Sequence, residues 1–147
     1  MVLLLLSVSV LQSPGQQTET SRKPFDELKA KAEAGDPNSE SQLGLRYANG
    51  QGVAKDEVEA VKWLRKAAEQ NVAQAQTNLG FCYESGQGVV KDEVEGYRWF
   101  LLAAAQGDED AKTNMALSER RLTREQIVGG IKMARNFKPR EMPSVGR

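Results

Sequence analysis

Apolar side chains return along this chain at the three- and four-residue spacing of amphipathic helices. Leu43 and Tyr47 stand four apart, as do Leu79 and Tyr83, Trp63 and Ala67, and Trp99 and Ala103. The pattern predicts first helices over 38–48, 73–84 and 110–120, and second helices over 57–69 and 93–105. Residues 25–34 read as the end of a second helix that lacks its tryptophan. Residues 122–136 read as a capping helix, opened by Thr123 with Gln126 and stapled by Leu122 and Ile127. Pro139 and Pro143 then stop helix formation, so 137–147 reads as a tail.

The pattern has a long period as well as a short one. Gly44 and Gly80 are 36 residues apart, and so are Tyr47 and Tyr83, Gly50 and Gly86, Gly52 and Gly88, Val53 and Val89, Asp56 and Asp92, and Trp63 and Trp99. Leu43, Leu79 and Met115 continue the register. Self-similarity at this period is the signature of a helical repeat array. Full units fall near 36–71 and 72–107, within an array spanning 24–121 that begins with a half repeat and ends with a partial third. Both tryptophans, with Leu43 and Leu79, are expected in the core. The glycines of Gly50-Gln51-Gly52 and Gly86-Gln87-Gly88 are expected to supply positive φ in the loops. They do not read as a phosphate cradle, because no strand precedes them and no Lys-Ser/Thr follows. Asp56 with Glu59, and Asp92 with Glu95, read as capping boxes rather than catalytic carboxylate pairs.

The N-terminus changes register. Residues 2–11 form an uncharged apolar run, about 15 Å long as a helix and so half a bilayer core. The run suits a signal peptide over 1–15, with cleavage expected after Gly15, although no Lys or Arg occurs before Arg22. Residues 16–23 are polar and read as a linker. The expected localisation is secreted or periplasmic, the alternative cytoplasmic.

Composition narrows the chemistry. Twenty basic residues balance twenty acidic ones, which gives no electrostatic case for nucleic acid, and no stable membrane span is expected. Histidine is absent, and with it the commonest general base and metal ligand. Cys82 is the single cysteine, so no intrachain disulfide forms, and its place within a helical pattern reads as a small buried hydrophobe. No catalytic residue, metal or cofactor is expected.

Leu43-Gly44, Tyr47, Gly50-Gln51-Gly52-Val53, Asp56, Ala60, Trp63 and Lys66-Ala67-Ala68, with their counterparts from Ala75 to Ala104, resemble the Sel-one-like repeat (SLR) family, a relative of the tetratricopeptide repeats. The likeness covers about 25–120. It implies an all-α fold, a right-handed superhelical solenoid of antiparallel helix pairs that scaffolds protein complexes. Gly96, where the pattern has alanine as at Ala60, is expected to loosen the second repeat.

In such a solenoid the first helices line a concave face. With Leu43 and Tyr47 turned inward, Gln42, Asn78 and Asn114 are expected to form an amide ladder there, beside an apolar ladder of Leu45, Phe81 and Leu117. That combination suits an extended peptide or another protein. The expected function is a non-enzymatic adaptor, monomeric or weakly self-associating. The alternatives are a self-assembling structural module and, by distant family precedent, a cell-wall or lactam hydrolase.

Overall fold

The computed structural model describes residues 14–141, with side-chain surroundings from Arg22 onward. Seven helices and no strand occur among the described residues: α1 Pro14–Glu33, α2 Pro37–Asn49, α3 Glu57–Glu69, α4 Ala73–Ser85, α5 Glu93–Ala105, α6 Glu109–Glu119 and α7 Arg124–Arg135. Helices α2 with α3, and α4 with α5, are antiparallel hairpins, and α3 joins them by packing on α4. Helix α1 covers α2, and α7 packs on α5.

The helix starts show why the elements begin where they do. A helix leaves its first N–H groups unpaired, and a short polar side chain can satisfy one. Asp36 accepts from the Ser39 amide at 2.7 Å, with Pro37 in the first turn. Asp56 accepts from Glu59, Asp92 from Val94 and Glu95, and Asp108 from Ala111. Helix α4 is the exception: Val72 stands at its cap position and makes no side-chain bond. Its side chain packs on the core instead. The residue before each of these three first-helix caps has positive φ, and there Asn71 (φ 66°) stands where Gly35 and Gly107 stand in the other units.

Among the described residues only α7 carries a reciprocal capping box, between Thr123 and Gln126. The boxes expected at Asp56 and Asp92 are half formed, because their glutamates are engaged elsewhere. Glu59 accepts from the Trp63 indole at 3.1 Å and from Lys62, and Glu95 holds Arg98 through both carboxylate oxygens.

Each hairpin buries its apolar side against the element before it. Trp63 and Leu43 pack with Phe25 and Ala32 of α1. Trp99, Leu79 and Tyr83 pack with Val61 and Leu64 of α3. Val53 and Val89 tuck in beneath the loops. Helix α1 therefore serves the first hairpin as α3 serves the second, and its backbone stays helical through 16–23, where sequence reading expects a linker. The residues there are polar but unbranched or only mildly unfavourable in a helix. The leader-like run 2–11 lies outside the described residues.

Glycine sets the approach of paired helices. A Cβ on Gly44 would lie 2.8 Å from Leu64, and one on Gly80 would lie 2.6 Å from Phe100. Gly96 faces the same contact, with its Cβ position 2.9 Å from the Gly80 carbonyl oxygen. Gly96 stands where the first hairpin has Ala60, so this close approach to the Gly80 carbonyl is made without a side chain, and Phe100 of the same helix stands in the place of Leu64. Gly130 plays a similar part for α7, which sits directly on the buried Tyr97 ring.

Candidate partner-binding surface

Residues three apart on a helix share a face. Gln42 with Leu45 on α2, Asn78 with Phe81 on α4, and Asn114 with Leu117 on α6 are such pairs. Gln42 is exposed, Leu45 half-buried, Phe81 43% exposed and Leu117 47% exposed. The apolar ladder thus opens to solvent along the second and third first-helices. Phe81 is anchored by an edge-on contact with Phe100, ring centroids 5.5 Å apart.

The amides do not bond one another. The Asn114 amide donates to the Asp110 carbonyl at 2.7 Å within its own helix, and the Asn78 side-chain nitrogen is buried without a partner. Buried donors of this kind cost stability unless something accepts from them.

The amide network that does span the repeats lies elsewhere, and sequence reading missed it. Gln70 donates to Glu40 at 2.5 Å. One period later Gln106 donates to Gln76 at 2.8 Å and to Asn71 at 3.2 Å, and Gln76 reaches the Ala68 carbonyl. Glu40 with Gln76, and Gln70 with Gln106, are each 36 apart, so the interval itself held the signal. The bonds from Gln70 and Gln106 tie the end of each second helix to the first helix of its own unit, and Gln76 joins α4 to the end of α3 across the unit boundary. At the far end, Glu84 accepts from Ser118 at 3.0 Å and pairs with Arg121, and Tyr97 donates to Glu119 at 2.8 Å, fixing α6. Glu119 stands where the repeat would place a tyrosine.

Burial raises the Glu40 carboxyl above its usual range, against the smaller pull of Arg140 and Lys66. A raised folded-state pKa means that ionised Glu40 destabilises the fold. That cost is absent below the unfolded-state pKa and grows as pH rises through the folded one. Glu40→Gln, which copies Gln76, is expected to raise the unfolding midpoint at pH 7 and to leave it unchanged near pH 3. Equal gains at both pH values would contradict this. Asp36 titrates in the opposite sense: its hydrogen bonds from Ser39 lower its pKa, so its stabilisation fades as pH falls.

Cys82 is half-buried against the core cluster that holds Leu79, Tyr83 and Trp99. Burial, then the charge of Glu57, pushes its thiol pKa up. Reaction with a disulfide reagent at pH 7 is expected to run at least about tenfold slower than with an unstructured cysteine peptide. A rate equal to the peptide's would contradict that reading. No cluster of three metal-ligating side chains occurs among the described residues, and no described helix is long and apolar enough to cross a membrane.

Sel1 repeat models match residues 37–72 and 73–108, the two hairpins described above. A Sel1 repeat protein from Oxalobacter formigenes is 37% identical, with the match covering 69% of this chain and 86% of that one at a TM-score of 0.60. A protective antigen present in uropathogenic Escherichia coli strains, displaying an SLR fold, is 26% identical at a TM-score of 0.77. That match covers 93% of this chain and 32% of the antigen, so the chain spans about a third of the antigen's length. No curated protein matches. Paired helices at a 36-residue step, glycine-tuned crossings and these likenesses lead to one conclusion: the chain belongs to the Sel1 repeat family, generally protein–protein interaction scaffolds.

Proposed function

We propose that this chain is a non-enzymatic adaptor that binds a partner protein or extended peptide across its first helices. The observation that carries the reading is the exposure of Phe81 and Leu117 at equivalent places on α4 and α6, each three residues after an asparagine. Exposed apolar area repeated at a fixed step is what an extended peptide needs for contact, while the Asn78 and Asn114 amide nitrogens, one buried and one bonded within its helix, add no donor to it. The leader-like run over 2–11 supports action outside the cytoplasm, secreted or periplasmic. The test is affinity capture from an envelope or culture-supernatant fraction, followed by titration of the captured partner. Asn78→Ala with Phe81→Ala is expected to weaken that affinity at least about tenfold, or 1.4 kcal/mol, while far-UV circular dichroism stays unchanged. Unchanged affinity would remove the first-helix face from consideration.

Self-association is a second reading with its own observation. Val128 and Met133 of the end helix α7 are 60% and 39% exposed. Sedimentation velocity over a hundredfold concentration range separates the two: an adaptor stays monomeric, and a self-assembling module grows in mass.

A further inference from the structure

The two hairpins treat their tryptophans differently. Over Trp63 lies the Lys66 ammonium, 4.2 Å from the ring. One period on, Leu102 stands in the place of Lys66; the Arg98 guanidinium lies 4.2 Å from the Trp99 ring, and Trp99 also meets the ring of Phe137, edge-on at 5.7 Å. Phe137 belongs to the segment after α7, which has no regular structure through Glu141 yet runs back across α5 to α3. There the Arg140 amide donates to the Glu69 carbonyl at 2.7 Å, which satisfies one of the orphan acceptors at the end of α3. The Arg140 guanidinium lies 3.7 Å from the Glu69 carboxylate and in reach of the field of Glu40. Pro139 favours extended backbone at Lys138 before it.

Around this segment lies a cleft of about 420 Å³. Besides Lys138 and Arg140 of the segment itself, two arginines of the body line it: Arg98 pairs with Glu95, and Arg65 donates to the neutral Tyr83 hydroxyl at 2.5 Å and keeps its charge. The carboxylate that meets the segment's own arginine is that of Glu69, with the buried Glu40 behind it. The arrangement is that of a peptide site: an aromatic slot, one backbone acceptor and carboxylates placed three residues further along.

We infer that the α3–α5 groove is a docking site for an extended basic peptide carrying an aromatic residue three positions before an arginine, and that residues 136–141 occupy it in cis. The site is separate from the first-helix face and does not depend on it. A partner segment of that chemistry competes with the chain's own end, whose tethering gives it a high effective concentration.

The probe is a fluorescent hexapeptide copying residues 136–141, titrated by anisotropy against the full chain and its Phe137→Ala variant. Emptying the slot is expected to tighten binding of the peptide at least about tenfold. A second peptide, with alanine in the place of Phe137, is expected to lose that gain. Adding Leu102→Lys to the variant, which installs the cover seen over Trp63, is expected to abolish it again. Equal affinity for the full chain and the Phe137→Ala variant would overturn the proposal, as would indifference to the peptide's phenylalanine or no binding to any form. The peptide comparison decides the matter even where Leu102→Lys disturbs folding. A Phe81 variant is expected to bind this peptide unchanged, so failure here and failure of the first-helix reading are told apart.

Discussion

Trp99→Ala is expected to cost about 3–5 kcal/mol of folding stability, which in a domain of this size lowers the melting temperature by on the order of 15 °C or more. Trp99 is 1% exposed and is shared among Val61 and Leu64 of α3, Leu79 and Tyr83 of α4 and the ring of Phe137. Its loss opens a cavity at the junction of the two hairpins, where neighbours from three helices would have to move together to close it. Its indole nitrogen is buried without an acceptor, so the side chain stabilises through packing and the Arg98 guanidinium over its ring, 4.2 Å away, and not through a hydrogen bond. Trp63→Ala is expected to cost less, toward 3 kcal/mol, because Trp63 borders the smaller cluster made with α1 and is 7% exposed. Urea denaturation of both variants checks the order. A Trp99 variant that loses no more than the Trp63 variant would contradict a core centred between the hairpins.

Gly88→Ala is expected to cost about 3 kcal/mol, from two causes that add. Gly88 has φ of 68°, where a side chain is strained, and a Cβ there would overlap the Glu57 carbonyl oxygen at the start of α3. The loop of the second unit thus rests on the backbone of the first, and a methyl group would pry the hairpins apart. Gly107→Ala is the control: its φ is 94°, yet nothing lies within 4 Å of the added carbon, so strain alone predicts about 1 kcal/mol. Chemical denaturation gives the comparison, and equal losses for the two would mean that the loop contact between units is absent.

Much of the architecture was legible because stacked repeats write the same packing problem twice. Tryptophan, tyrosine and paired glycines returning every 36 residues locate helices, crossings and loops, since each side chain must meet the same neighbour in each unit. What escaped was where the two copies diverge. Gly96 in the place of Ala60 looks like a loss when read by itself, and only the Gly80 carbonyl packed against it shows how closely α4 and α5 approach there. Glu59 and Glu95 sit at capping-box spacing, but a spacing cannot show that Trp63 and Arg98 compete for the carboxylates. The polar stretch 16–23 carries no apolar period, and a helix covering one side of α2 beyond it needs none there.

The candidate surface was less legible than the fold. Helical spacing puts Asn78 beside Phe81 and Asn114 beside Leu117, yet it cannot tell that the Asn114 amide turns back on its own helix while that of Asn78 is shut in without a partner. The bonded amides, Gln70, Gln76 and Gln106 with Glu40, lie at unit junctions, where their role is to fasten helix ends. The return of Phe137 to Trp99 joins positions far apart in sequence through no repeating pattern, and only the tertiary path of the chain end brings them together.

All of this rests on two indoles hidden by helices from neighbouring units. The direct measurement is tryptophan emission from the single-indole variants Trp63→Phe and Trp99→Phe, followed through urea unfolding. Stacked hairpins predict blue-shifted emission from each remaining indole in the native state and red shifts at coincident urea concentrations. Emission typical of a water-exposed indole from either variant before unfolding would contradict the stacked arrangement.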